Sequence, residues 1–135
     1  MPNKQANGVK SIPLGRKGSR SLQSLKHADF ERVYEAGQRH YSRLMTVFFL
    51  PRKSGGPRFG FTVGKAFGGA VVRNRLKRRM REAVRGECQR FHSAVDVVFN
   101  PKKLAVQAEF AALAQEVGRA LQLIAAKTAA VANQI

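Results

Sequence analysis

The chain has 135 residues, with 25 Lys plus Arg against 8 Asp plus Glu, a net charge of +17 and a sequence pI of about 11.5. Length and a 44% hydrophobic fraction fit one domain with a real core, which excludes a wholly disordered chain. The charge demands a polyanion, nucleic acid first and an acidic membrane surface second. A lone cysteine, Cys88, excludes an internal disulfide framework and any cysteine-rich zinc site. No apolar run nears the roughly 20 residues of a membrane span, and a signal-peptide stretch is absent, so the expected compartment is a reducing cytoplasm.

Residues 1–21 form a basic arm, with Lys4, Lys10, Arg16, Lys17 and Arg20 and no acid, expected to be mobile in the free protein. It reads as an RNA-contacting arm, a solubilising tail or an organelle transit peptide. Residues 22–126 form the single domain, and 127–135 a C-terminal tail. Asp29, Phe30, Val33 and Tyr34 have helical spacing, and Gly37 stands where that helix stops. Arg43 to Leu50 reads as a strand, followed by a Lys53-Ser54-Gly55-Gly56-Pro57 turn and a second strand from Arg58 to Val63, which together predict a hairpin. Gly64, Gly68 and Gly69 then lead into a helix from Ala70 to about Arg85, continuing toward Phe91. Asp96 to Phe99 is a short buried strand stopped by Pro101. Val106 to about Ile124 carries Phe110, Leu113, Val117, Leu121 and Ile124 at helical spacing. The order is helix, two or three strands, helix, strand, helix. Taken as α-β-β-β-α-β-α, it predicts an α+β fold, a compact α/β sandwich with helices on one face of a sheet.

The charge concentrates on the Ala70 helix, where seven basic residues and one acid, Glu82, fall between Arg73 and Arg85. At about 100° per residue, Val72, Leu76, Met80 and Ala83 share an apolar stripe. Arg73, Lys77, Arg81 and Arg85 recur along another side with Asn74 and Arg78 beside them, while Arg75 and Arg79 flank the far edge of the stripe. A passive solvated face is the competing interpretation. Like charges four residues apart destabilise a helix by roughly 0.2–0.5 kcal/mol per pair, and an external polyanion relieves them. Arginine outnumbers lysine six to one here, which suits bidentate phosphate contacts and stacking on bases. The helix N-terminus behind the glycines is a reasonable phosphate site, although Gly64 to Gly69 matches no P-loop.

Phe30, Tyr34 and Phe48 either line a surface for stacking single-stranded bases or belong to the core. On their strand, Thr46, Phe48 and Leu50 face one way, and Met45, Val47 and Phe49 the other. No zinc-finger or zipper pattern supports a duplex-DNA reader. The acids are scattered and His27, His40 and His92 are isolated, so no catalytic or metal site is predicted. Glu82 is read as an ion-pair partner of Arg78 or Arg85, and Cys88 as packed. The chain reads as a binder.

Two stretches then carry a family resemblance. Phe59-Gly60-Phe61-Thr62-Val63-Gly64-Lys65 and the run Gly68-Gly69-Ala70-Val71-Val72-Arg73-Asn74-Arg75-Leu76-Lys77-Arg78-Arg79-Met80-Arg81-Glu82 resemble the protein subunit of bacterial ribonuclease P. Leu25 to Gly37 is similar to that family's opening helix. The resemblance implies a ribosomal-protein-S5-domain-2-like fold with a left-handed crossover between the third and fourth strands, where topology alone predicts right-handed in roughly 98% of cases. It also implies a partner, the catalytic RNA that removes the 5′ leader of precursor tRNA with its own Mg²⁺. No cofactor of the protein, no membrane and no protein partner is implied. By position, contact with the catalytic RNA falls to Arg73, Asn74, Arg75, Lys77, Arg78, Arg79 and Arg81. A leader cleft falls to Phe30, Tyr34, Phe48 and Thr62, with Lys65 nearby and the aromatic rings partly exposed. The sequence departs from the family where Gly64-Lys65-Ala66 stands in place of a Ser-Lys-Lys run. It departs again where Asn100-Pro101-Lys102-Lys103 follows the fourth strand in place of an arginine, with Lys102 the candidate substitute. A general basic RNA-binding protein or RNA chaperone is the alternative function.

Overall fold

The computed structural model describes residues 23–133, so the arm expected at 1–21 lies outside the described residues. The elements are α1 (His27–Ala36), β1 (Gln38–Tyr41), β2 (Met45–Pro51), β3 (Arg58–Phe61), α2 (Ala70–Glu87), β4 (Val95–Pro101), α3 (Leu104–Gln107) and α4 (Phe110–Asn133). Short 3-10 turns at Lys65–Phe67 and Cys88–Arg90 bracket α2. No helix among the described residues is long and apolar enough to cross a membrane.

The four strands form one sheet in the order β1-β2-β4-β3. β1 and β2 pair antiparallel, as do β2 and β4, whereas β3 and β4 run parallel through the α2 crossover. The predicted hairpin of β2 with β3 is therefore corrected: β4 lies between them, and the paired hairpin is β1 with β2. The reason is burial. Val95 to Phe99 is buried throughout, a continuous run that belongs at the centre of a sheet with both faces covered.

Strand alternation sends Met45, Val47 and Phe49 of β2, Phe59 and Phe61 of β3, and Val95, Val97 and Phe99 of β4 to one face. There they form the main core with Leu76, Met80, Ala83 and Val84 of α2 and Leu113, Val117, Leu121 and Ile124 of α4. The Phe59 and Phe61 rings stack on Phe99 at centroid distances of 6.2 and 5.6 Å. The buried stripe of α2 differs slightly from the predicted one: Val84 joins it and Val72 is only half-buried.

Helices cover both faces, not one. α1 lies against the second face, where Leu25, Phe30 and Val33 pack around Val98. Phe30 needs Gly60 opposite it, because a methyl group there would collide with the ring. Gly37 ends α1 as predicted, its N–H donating to the Val33 carbonyl at 2.8 Å. Its φ of −82° is ordinary extended backbone, so glycine is required by close approach: a Cβ would strike the carbonyl oxygens of Val33 and Phe49.

At one end of this second face lies Asp96, fully buried on β4. Arg58 grips it through Nε and Nη2, both at 2.8 Å, Arg52 through Nε at 2.8 Å, and Arg32 of α1 at 3.2 Å. The hydrogen bond to Asp96 raises the Arg58 pKa above its ordinary value, against a smaller opposing effect of burial. One carboxylate thus ties α1, the β2–β3 loop and β3 to the central strand.

The C-terminal helix also departs from its predicted bounds. The chain bends at Ala108, whose extended conformation ends α3, and α4 then runs to Asn133 through most of the stretch read as a tail. On the far side, the Glu116 carboxylate of α4 accepts from Ser42 Oγ at 2.6 Å and from the Leu44 N–H at 3.0 Å. Lys102 Nζ donates to the Ser42 carbonyl at 2.7 Å, so this lysine helps hold the β1–β2 turn.

Candidate nucleic-acid interface

α2 is fixed by its apolar stripe and turns its cations outward. Asn74, Arg75 and Arg78 are exposed, and Arg73, Lys77 and Arg81 are half-buried along the neighbouring side. Burial pushes the Lys77 pKa down, and the adjacent Arg81 and Arg73 push it further in the same direction. Burial also lowers that of Arg81. Burial is thus the main cause of both shifts, and only at Lys77 do neighbouring cations add to it. Glu82 pairs with Arg85 at 2.7 Å, which resolves the choice between Arg78 and Arg85.

Arg79 also serves the scaffold. Its guanidinium donates to the Val106 carbonyl at 3.5 Å and to the Ala108 carbonyl, bracing the bend between α3 and α4. At the other end of α2, Gly69 is the N-cap and no side chain caps the first turn. Val71 is 82% exposed beside it, and Gly68 adopts φ 130°, a conformation that favours glycine. Lys65 sits in the exposed 3-10 turn that leads to this end.

Of the residues read as a leader cleft, Phe30, Tyr34, Phe48 and Thr62 lie on the α1 side of the sheet. Phe30 is buried beneath α1 over Gly60, so it builds the wall and offers no stacking surface. Tyr34, Phe48 and Thr62 do come together and are half-buried. The Tyr34 and Phe48 rings meet edge to face at 4.8 Å and 85°. The Tyr34 hydroxyl donates to Asn100 Oδ1 at 3.1 Å, and Thr62 Oγ1 also donates to that oxygen. The Tyr34 and Thr62 hydroxyl oxygens lie 3.5 Å apart.

Sequence reasoning missed three residues of this surface. Arg39 of β1 lies over the Phe48 ring at 5.4 Å and donates to the Tyr41 hydroxyl at 3.1 Å. Tyr41 is 63% exposed, and Asn100 is half-buried on the floor. The register explains the grouping: Arg39 pairs with Phe48 and Tyr41 with Thr46, while Thr46 pairs with Asn100 across β2 and β4. Alternation from Val98 would have placed Asn100 on this face, but β1 has no apolar period to announce it.

Among the described residues no group of three or more His, Cys, Asp or Glu side chains stands together as a metal site. Asp29, Asp96 and Glu82 are engaged with arginines, and Glu116 with the β1–β2 turn.

The domain carries a core-anchored cationic helix on one face of its sheet and a group of aromatic and polar side chains on the other. Comparison with known proteins gives its family. A family model described as Ribonuclease P matches residues 19–125. The ribonuclease P protein component of Desulforamulus reducens is 36% identical over 85 residues, covering 63% of this chain and 75% of that one. That of Acidothermus cellulolyticus is 36% identical over 98 residues, covering 71% and 82%. Among solved structures, the RNase P protein of Staphylococcus aureus superimposes with a TM-score of 0.67 at 25% identity, covering 78% of this chain and 96% of that one. The RNase P protein of Thermotoga maritima gives 0.64 at 26% identity, covering 69% and 88%. The chain belongs to the ribonuclease P protein family.

Proposed function

We propose that this protein binds the catalytic RNA of ribonuclease P through α2 and the 5′ leader of precursor tRNA through the cleft beside α1. In this reading it promotes endonucleolytic removal of the leader in the cytoplasm. Hydrolysis belongs to the RNA and its Mg²⁺, and the protein contributes binding and position. The observation that carries this is α2: its apolar stripe is sunk in the core while Arg75, Arg78 and Asn74 stand exposed beside the half-buried Arg73, Lys77 and Arg81. A helix so anchored holds its cations at fixed spacing, so phosphate contacts form with little further ordering. The cleft supplies the single-strand element, since Tyr34, Phe48 and the Arg39 guanidinium present flat surfaces to unpaired bases.

The test is cleavage of precursor tRNA by the cognate catalytic RNA at low Mg²⁺, with and without the protein. The expected result is faster cleavage and tighter binding of precursor than of mature tRNA. Equal cleavage with no preference for the precursor refutes the assignment.

A further inference from the structure

The floor of the cleft carries a polar group that the sheet has no need of. Asn100 continues the run Val97-Val98-Phe99 on the central strand, where an aliphatic side chain would bury without loss. Both nearby hydroxyls spend their protons on one atom of it: Tyr34 OH and Thr62 Oγ1 donate to Oδ1. This fixes the plane of the carboxamide. Its Nδ2, with two hydrogens, makes no hydrogen bond to any described residue. Asn100 is half-buried next to the Tyr34 hydroxyl, with Thr46 as its cross-strand neighbour, and its amide N–H groups are open to whatever approaches this face of the sheet.

We propose that Asn100 reads one unpaired base of the leader, donating from Nδ2 to an acceptor on that base's edge while the base rests against the aromatic pair. This rests on the leader-binding role proposed above. A fixed donor favours a base presenting a carbonyl oxygen or an unprotonated ring nitrogen at that point. It disfavours a base presenting an amino group, because two donors would then face each other. Tyr34 and Thr62 act as positioning residues, since they set the orientation of the amide.

The experiment is competitive cleavage of a precursor tRNA pool with a randomised leader by the reconstituted holoenzyme. The readout is relative kcat/KM for each nucleotide at each leader position. Wild type is expected to show a preference of roughly three- to tenfold at one position, the scale of a single hydrogen bond. In Asn100→Val that preference should fall to within about twofold. In Asn100→Asp, which keeps an acceptor for both hydroxyls, it should move toward bases that present an amino group. The Asp variant carries the test if the Val variant does not fold. No preference in wild type, an unchanged profile in the variants, or a loss equal for all four nucleotides overturns the proposal, the last by indicating a phosphate contact. Failure of the parent reading looks different: the wild-type holoenzyme would then show no advantage over RNA alone.

Discussion

The two faces of the sheet obey the same alternation and do opposite things with it. One face is dry: Met45, Val47, Phe49, Val97 and Phe99 meet α2 and α4 in a continuous apolar core. The other is divided into three rows across the strands. Leu50, Asp96 and Arg58 form an ionic row, Arg39, Phe48, Val98 and Gly60 a packing row, and Tyr41, Thr46 and Asn100 a row left largely to the cleft. The covered face provides stability, and α2 borrows its rigidity from it. The other face keeps α1 in place with charge at one end so that the opposite end can stay open.

The largest effects are expected at Phe99 and Asp96, three residues apart on the central strand β4 and turned to different faces. Phe99→Ala should lower stability by about 3–5 kcal/mol through the cavity it leaves. Asp96→Asn should match it at about 3–5 kcal/mol, because Arg52 and Arg58 lose the carboxylate they converge on. Chemical denaturation measures both. An Asp96→Asn protein as stable as wild type would mean that packing alone holds α1.

A smaller effect separates scaffold from interface within α2. Arg79→Ala should destabilise the free protein by about 1–3 kcal/mol by leaving the carbonyls at the α3–α4 bend without their donor. Arg75→Ala, at an exposed position, should change stability by less than about 0.5 kcal/mol. It should instead weaken binding to the catalytic RNA and reduce the slope of log affinity against log salt by about 1. Thermal unfolding and salt-dependent binding of the same two variants distinguish the roles.

The smallest effect concerns pH. Lys77 holds its proton less tightly in the folded state than its ordinary value of 10.5 implies, owing first to burial and then to Arg81 and Arg73. The unfolded chain therefore binds more protons in the window just below 10.5, and stability rises with pH through it. Lys77→Met should remove that rise, as seen in melting temperature against pH. Phosphates placed beside Lys77 should restore its proton, so RNA binding in that window should take protons up.

Local pattern revealed what local physics decides. The stripe of α2, the alternation of β2 and the stop at Gly37 follow from spacing within a few residues; the last two stand in the structure, and the stripe stands with Val84 added and Val72 only half-buried. The remainder depends on partners far along the chain. β1 is short and largely polar, so only its ladder to β2 makes it a strand. Phe30 is wall and not platform because Gly60 lies opposite it. Arg79 looks like its neighbours until the α3–α4 bend is placed against it. The same holds for Asp96, whose three arginines come from α1, the β2–β3 loop and β3.

The position of β4 has a consequence for how the molecule is made. The strand that fills the middle of the sheet is the last of the four to be synthesised, after the whole of α2. Until Val95–Pro101 leaves the ribosome, β2 and β3 have a vacant slot between them, and two open strand edges face it. The basic helix meanwhile has its apolar stripe ready but lacks the completed sheet to lay it on. Folding must wait for this non-local insertion, which places it among slower, topology-limited folders and leaves the nascent chain vulnerable to mispairing until the central strand arrives. A nascent chain stalled before Val95 would therefore carry the arginines of α2 without the platform that sets their spacing.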